Sequence, residues 1–374
     1  MNWSRFIAIL LKEFRQLRRD RLTFAMMIAV PILQLVLFGY AINTDPKHLP
    51  LAILIADESP FSRSFVAGLE NSSYFEITHR LHSEDEGNRL LAEGAVQFVL
   101  VVPSDFSRRM LRGERPAMLM AADATDPAAS GNALAALDGI ARVAIGRDLA
   151  GTLAPLQSAD PPYEIRVQRR YNPEGLSRYN IVPGLIGVIL TMTMVMMTSL
   201  AMTRERERGT MENLLATPVR PSEVMVGKIV PYILIGYVQV VVILVAARLL
   251  FDVPMLGSML LLSFALVIFM AANLAVGFTF STIARNQLQA MQLTFFFFLP
   301  SMLLSGFMFP FRGMPAWAQN VGEVLPLTHF LRIVRGILLK GNEFAEIWPN
   351  VWPILLFMLA AGAVAMNRYK QTLD

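Results

Sequence analysis

Cysteine is absent from this 374-residue sequence, and charged residues are scarce. Without cysteine the chain can form no disulfide, no thiolate metal site and no cysteine nucleophile. Charged residues make up 17% of the sequence, whereas soluble domains usually carry about 25%, and hydrophobic residues make up 54%. This composition predicts a membrane protein. The formal net charge of +4 is too small to indicate a nucleic-acid partner.

Sequence motifs for the common kinds of catalysis are also missing. The pair Gly227 and Lys228 lacks both the earlier glycine and the following Ser or Thr of a phosphate-binding loop, so the chain is not expected to hydrolyse ATP by itself. There is no HExxH and no GxSxG motif, which removes the usual signs of a hydrolase. His79 and His82 stand three residues apart, but two surface residues near a strand end are a better interpretation than a metal site. We expect a chain that is not an enzyme and binds no metal or cofactor itself.

Six runs of the sequence are apolar enough to cross a bilayer, which needs about 20 predominantly apolar residues. They are residues 22–42, 181–203, 229–251, 257–283, 288–311 and 348–366. In residues 1–21, apolar positions recur at helical spacing with Lys12, Arg15 and Arg19 opposite. This pattern predicts an amphipathic helix on the inner membrane face, and the alternative is a basic signal that only sets topology. The predicted fold is a polytopic α-helical membrane protein with six transmembrane helices.

The distribution of Lys and Arg near the ends of these runs predicts their orientation. Fourteen such residues lie on the side that holds residues 1–21, residues 204–228, Arg285 and the tail 367–374. Five lie on the opposite side, outside the large domain of residues 43–180. Both termini and the stretch 204–228 are therefore expected in the cytoplasm.

Residues 43–180, between the first two predicted spans, have the composition of a soluble domain. Strand-like stretches at residues 51–57, 74–81, 95–103 and 117–123 alternate with helix-like stretches at residues 61–70, 84–93 and 105–112. This alternation predicts an α/β domain outside the cytoplasm. An alanine-rich stretch, residues 128–153, is expected to form a long helix that leads back towards the membrane.

A charged cluster stands between the second and third predicted spans, in the sequence TRERERGTMENLLATPVRPSEVMVGK. A charged residue at the bilayer centre costs about 2.5–3.5 kcal/mol, so the cluster must lie in water or against another protein. After Gly209 and Thr210 a short helix is expected, on which Met211, Leu214 and Leu215 form an apolar ridge. A loop that only sets topology needs positive charge alone, but this one also carries four glutamates. A docking surface for another protein explains the ridge and both signs of charge better.

Five amides are the polar exceptions inside the predicted spans: Gln34, Gln239, Asn273, Gln289 and Gln292. Polar groups in a membrane usually face other helices or a wet pathway. Hydrogen bonding between helices is the simpler interpretation. Gln239, Asn273 and Gln292 are nevertheless candidates for contact with a substrate.

The sequence RERERGTMENLLATPVRPSEVMVGKIVPY resembles the signature of bacterial ABC-2 type transport permeases. The resemblance continues in RRYNPEGLSRYNIVPGLIGVIL and in LLSGFMFPFRGMPAWAQNVGEVLPLTHFLRIVRGILLKG, and it covers nearly the whole chain. The chain is similar to the branch with a large extracytoplasmic domain, whose members are often described as multidrug export permeases.

This resemblance implies that a separate cytosolic subunit, which holds ATP and Mg, docks on residues 204–228 and that two permease chains pair. It also implies that residues 312–347 form short helices that dip into the outer leaflet. The residues expected to couple the spans to the ATPase are Arg204, Glu205, Glu207, Arg208, Gly209, Thr210, Met211, Glu212, Leu214, Leu215, Pro218, Glu223 and Lys228.

We therefore expect the transmembrane subunit of an ABC exporter in the inner (plasma) membrane of a bacterial cell. It would move an amphiphilic drug-like or lipid-like molecule outward, with membrane lipid and a second permease beside it and no nucleic acid. An ion-extruding permease of the same build is an alternative, which the absence of Asp, Glu and Lys from the spans disfavours. A membrane sensor with a ligand-binding outer domain is another, but it leaves four spans without a role. The sequence leaves open whether the second permease is identical and whether a periplasmic adaptor binds.

Overall fold

The computed structural model of the chain describes residues 46–146, 148–149, 161–207 and 221–371. The predicted amphipathic helix at residues 1–21 and the first predicted span at residues 22–42 lie outside the described residues. So do residues 208–220 of the charged segment and the last three residues of the tail. The predictions made for them stay predictions.

Five strands form one mixed sheet in the soluble part of the chain. They are β1 (Leu49–Ile55), β2 (Phe75–Arg80), β3 (Phe98–Val102), β4 (Ala117–Asp123) and β5 (Glu164–Arg170). The order across the sheet is β2-β1-β3-β4-β5. The pairing is parallel except between β3 and β4, which run antiparallel. The apolar strands β1 and β3 therefore lie in the interior of the sheet, and β2 and β5 form its edges.

Four helices pack on the two faces of this sheet: α1 (Pro60–Asn71), α2 (Glu84–Glu93), α3 (Phe106–Leu111) and α4 (Pro127–Val143). Side chains of α1, α3 and α4 share one buried cluster with inward residues of the sheet, including Phe65 and Phe98. Leu91 of α2 belongs to a smaller cluster on the opposite face. The start of α2 is capped by Ser83, whose hydroxyl accepts from the Glu86 N–H at 3.2 Å.

The described part of residues 43–180, which we call the outer domain after its predicted side of the membrane, has an α/β architecture. Two details predicted for it are wrong. The sequence predicted four strands and missed β5, which has only two apolar residues, Ile165 and Val167, and is mostly exposed. An edge strand needs little apolar surface, so its sequence, EIRVQRR, gave no strand signal. The long helix expected over residues 128–153 ends as an α-helix at Val143.

The described residues from Ser177 onward are mostly helical and form the second unit. Its long helices are α5 (Ser177–Glu207), α6 (Pro221–Phe251), α7 (Met259–Ile283), α8 (Gln287–Leu304) and α11 (Phe344–Gln371). All five contain segments long and apolar enough to cross a membrane. Between α8 and α11 lie a 3₁₀ turn at Phe311–Gly313, α9 (Ala316–Val324), α10 (Pro326–Arg335) and a π-helical turn at Gly336–Lys340. The sixth predicted span is the one at residues 22–42.

Helix α7 lies at the centre of this helical unit, packed against α5 and α11. A glycine allows α5 to approach closely, because a Cβ atom at Gly277 would lie only 2.8 Å from the Val195 carbonyl oxygen. Helix α10 is buried almost completely, and its Phe330 stacks on Phe269 of α7 with 4.1 Å between ring centroids. Leu327, Leu331 and Val334 of α10 are likewise core residues of the unit.

Several helix limits differ from the predicted spans. Helix α5 continues beyond residue 203 through Glu207, so the first charges of the cluster belong to its last turn. Helix α8 ends at Leu304 although the apolar run extends to residue 311. The reason is local backbone geometry: Gly306 has a φ of +82°, a left-handed conformation that glycine adopts at low cost and that cannot continue a helix.

Candidate functional site

The charged end of α5 makes a specific contact with the start of α8. Glu207 accepts hydrogen bonds from the backbone N–H of Gln287, at 2.9 Å, and from the side-chain amide of the same residue. Gln287 is the first residue of α8, where backbone N–H groups lack partners within the helix and favour a negative charge. These hydrogen bonds lower the pKa of Glu207. The carboxylate therefore joins the ends of two long helices.

The other predicted coupling residues are only partly placed. Arg204 and Glu205 lie with Glu207 on the last turn of α5. Arg208, Gly209, Thr210, Met211, Glu212, Leu214, Leu215 and Pro218 lie outside the described residues. Glu223 and Lys228 fall on the first turns of α6, which begins at Pro221.

Helix α5 also reaches the outer domain at its opposite end. Its 31 residues correspond to a rod of roughly 46 Å at 1.5 Å rise per residue. Asn180, in its first turn, donates from Nδ2 to Oδ1 of Asp126 at 3.0 Å, and Asp126 is the N-cap residue of α4. One continuous helix thus links the outer domain to the charged cluster.

The three polar residues proposed for a substrate path lie on different helices and have different partners. Gln239 on α6 accepts from the Thr193 hydroxyl of α5 at 3.0 Å, which is the hydrogen bond between helices that the sequence favoured. Asn273 on α7 is fully buried and donates to the Phe269 carbonyl of its own helix at 2.9 Å. The Oδ1 atom of Asn273 and the Oε1 atom of Gln292 are buried and have no hydrogen-bond partner among the described residues.

A cavity of about 680 Å³ lies between the outer domain and the segment from Phe311 to Pro353, and we call it the charged cavity. The outer domain contributes residues 92–97, Asp123 and Asp126 to its wall. The helical unit contributes Arg312, Glu323, His329, Arg332, Arg335, Lys340 and Glu346. Polar and charged groups from both units therefore face one space.

On one side of this cavity, Lys340 connects the outer domain to the helical unit. Its Nζ atom lies 2.6 Å from Oδ2 of Asp123, and both side chains are largely buried. The same ammonium donates to the carbonyls of Leu91, at 2.9 Å, and Ala92, at 3.4 Å. Those carbonyls belong to the last turn of α2, where unpaired C=O groups favour a cation. Lys340 therefore ties α2 of the outer domain to the π-helical turn.

Comparison with known proteins places the chain in a family. Residues 21–366 match the family model described as ABC-2 family transporter protein. The chain belongs to the ABC-2 family. It is 32% identical to the "Probable multidrug ABC transporter permease YbhS" of Escherichia coli strain K12, over 97% of this chain and 95% of that protein. It is 28% identical to "Probable multidrug ABC transporter permease YbhR" of the same organism, over 99% of each chain. The "Inner membrane transport permease YhhJ" is 27% identical over 97% of this chain and 96% of its own length.

In this ABC-2 permease the residues singled out from the sequence do not converge on one place. Glu207 lies at one end of α5, and no hydrogen bond among the described residues joins Gln239, Asn273 and Gln292 to one another. No cluster suited to a metal ion occurs among the described residues, and His79 and His82 are exposed. Sequence reasoning missed the charged cavity. The available signal was the set of basic residues between apolar runs, which includes Arg312, Arg335 and Lys340.

Proposed function

We propose that this ABC-2 permease is the transmembrane subunit of an exporter that moves an amphiphilic drug-like or lipid-like molecule out of the cytoplasm or inner membrane. Two of its relatives bear names that describe multidrug ABC transporter permeases. ATP and Mg would be held by a separate cytosolic subunit, since the sequence has no phosphate-binding loop. Both termini would lie in the cytoplasm, as the distribution of Lys and Arg predicts.

The observation that carries this proposal is the unbroken course of α5 from Asn180 to Glu207. A force applied at the charged end is transmitted along a single helix to the hydrogen bond between Asn180 and Asp126. The contact of Glu207 with Gln287 passes the same movement to α8. An ATPase docked on residues 204–228 could thus shift two spans and the outer domain together.

A second permease chain and the substrate path are proposed at the apolar surface of this unit. Helix α6 exposes a row of large apolar side chains that includes Leu234, Val238, Val241, Val242 and Val245. In a membrane such a row faces lipid or another helix. Substrate would pass between the paired chains, where the half-buried Gln239 or Gln292 could contact it. Asn273, the third candidate, is buried inside the helical unit and could contact substrate only if the helices move apart.

The test is co-purification with the ATP-binding subunit, followed by ATPase measurements in nanodiscs with and without amphiphilic compounds. We expect Glu207→Ala to reduce the stimulation by substrate severalfold, because the link between α5 and α8 is lost. Glu70→Ala is the matched control, since Glu70 is an exposed carboxylate of the outer domain. Equal stimulation in both variants would contradict the proposed coupling. If no ATP-binding subunit co-purifies, the result would instead support the alternative of a membrane sensor with a ligand-binding outer domain.

A further inference from the structure

The charged cavity contains two ion pairs, and within each pair the two charges neutralise one another. Lys340 is paired with Asp123, as described above. Arg332 donates to both carboxylate oxygens of Glu323, at 3.0 and 2.6 Å, and its guanidinium lies 4.8 Å from the Phe311 ring centroid. Two-point contacts of this kind are the strong form of an arginine–carboxylate pair. These four charges are therefore not available to a ligand.

Other charges in the same cavity have no partner of opposite charge within 4 Å among the described residues. Arg312 donates to the carbonyl oxygens of Gly94 and Ala95, at 3.0 and 3.5 Å. Arg335 donates to the carbonyls of Asn180, at 3.4 Å, and Gly306, at 3.3 Å. The direct hydrogen-bond partners of both guanidinium groups are thus backbone carbonyls, while Asp126 near Arg335 and Glu323 near Arg312 act only at longer range. Burial lowers the pKa of Arg335, which reflects the free energy needed to keep its charge there.

An acidic side chain of the cavity, Glu346, also lacks an ion-pair partner among the described residues. Glu346 accepts a hydrogen bond from the Glu343 N–H at 2.7 Å, and no cation of the described residues pairs with it. The cavity wall as a whole carries four basic side chains and five acidic ones. It therefore suits neither a simple anion nor a simple cation. Glu346, Arg312 and Arg335 line this one space without forming an ion pair among the described residues, which matches a ligand that carries both signs of charge.

We propose that the charged cavity binds the zwitterionic headgroup of an amphiphile, with its phosphate at Arg312 and Arg335 and its ammonium at Glu346. Guanidinium groups form two-point hydrogen bonds with phosphate. A volume of about 680 Å³ lies within the range of small-molecule sites, about 300–1,000 Å³.

The wall of the cavity also has an apolar side, formed by Ile347, Trp352 and Pro353 of α11. Trp352 is 50% exposed and lies in the third turn of the candidate span that begins at Phe344. Tryptophan near a span end is typical of the membrane interface. The hydrocarbon chain of a bound amphiphile would leave the cavity along this side. This binding site goes beyond the proposed transport function, because binding requires neither nucleotide nor an ATPase.

The experiment measures equilibrium binding to the detergent-purified full chain, without nucleotide. Three probes are compared: a short-chain lysophosphatidylethanolamine, the matching lysophosphatidylglycerol, and glycerophosphoethanolamine, which has the headgroup but no chain. We expect the zwitterionic lysolipid to bind more tightly than the anionic one. Tighter binding of the lysolipid than of the free headgroup identifies a lipid-like ligand, whereas equal binding identifies a soluble zwitterion.

Two variants test the assignment of charges. Arg312→Gln is expected to weaken both lysolipids about tenfold, the usual scale of one hydrogen bond to a charged group. Glu346→Gln keeps an oxygen that can accept from the Glu343 N–H, and it is expected to weaken only the zwitterionic lysolipid, also by about tenfold. Arg166→Gln, which changes an exposed arginine of the outer domain, is the control and should alter neither. An unchanged preference between the lysolipids in Glu346→Gln, with Arg312→Gln also binding as wild type, would overturn the proposal.

Discussion

Asp57 shows how a single carboxylate organises a loop of the outer domain. It is only 6% exposed and lies two residues after the end of β1. It accepts from the Ser59 N–H at 2.8 Å and also from the Ser107 N–H, which joins the starts of α1 and α3. Burial opposes its ionisation, but these hydrogen bonds outweigh burial and lower the pKa of Asp57. The ionised form is therefore the one that the fold stabilises.

We predict that Asp57→Asn lowers the free energy of unfolding of the outer domain by about 2 kcal/mol at pH 7, the scale of a hydrogen bond to a charged group. A lowered pKa in the folded state gives stability above the unfolded pKa of about 3.9, and this stability is lost as pH falls through the folded value. The difference between wild type and Asp57→Asn should therefore shrink below about pH 4. Urea unfolding of residues 46–171 at several pH values measures it. Asp138→Asn, at an exposed site, is the control, and a difference that stays constant down to pH 2 would be inconsistent with this explanation.

At the scale of elements, the contact of α5 with α7 depends on Gly277. A Cβ atom there would lie 2.8 Å from both the Val195 carbonyl oxygen and the Thr198 Cβ atom. We predict that Gly277→Ala costs about 1–3 kcal/mol, because the two helices must move apart. Thermal stability of the detergent-solubilised protein measures the loss. Gly362→Ala on α11 is the matched control, since nothing lies within 4 Å of its added Cβ atom and alanine favours a helix. Equal melting temperatures for the two variants would rule out a tight contact at Gly277.

Strand β5 is the last strand of the outer domain and forms one edge of its sheet. It pairs with β4 over seven residues, from Glu164 to Arg170. Tyr163, just before it, donates to the Ala141 carbonyl at 2.6 Å and packs against Phe65. A fragment of the outer domain must therefore extend past Arg170 to contain the whole strand. We predict that residues 46–171 unfold cooperatively and that residues 46–163 do not, as judged by thermal melts and dispersed amide resonances. Identical melts would mean that β5 adds nothing to the domain.

Across the whole molecule, the elements that could be predicted from the sequence are those with a strong apolar pattern. Strands β1, β3 and β4 are apolar and buried, so their stretches were recognised, and α2 lies at the predicted residues 84–93. Exposed β5 has no such pattern, and α8 ends early because of one glycine inside an apolar run. The charged cavity was not foreseen because its wall combines Asp123 with Lys340, which lie 217 residues apart. Contacts of that range depend on the fold and not on local spacing.

The proposed contact with the ATPase also involves the whole molecule, because α5 runs from the outer domain to the docking segment at residues 204–228. If the ridge of Leu214 and Leu215 enters a groove of the partner, truncating a buried anchor should cost at least about 2 kcal/mol, or roughly thirtyfold in affinity. Charges at the rim of an interface usually cost much less. We therefore predict that Leu214→Ala or Leu215→Ala weakens assembly more than Arg204→Ala. Leu111→Ala, at an exposed site of the outer domain, is the control.

The measurement for this last prediction is pull-down of the ATP-binding subunit, with surface labelling of each variant to verify insertion. Transport should fail in the leucine variants although the chain still inserts and the outer domain stays folded, because α5 then has no partner to move it. Since Arg204 lies one turn before Glu207 on the same helix, its replacement should leave the contact with Gln287 in place and transport largely intact. Full recruitment of the ATPase by the Leu214→Ala, Leu215→Ala double variant would refute the docking ridge and leave residues 204–228 as a loop that only sets topology.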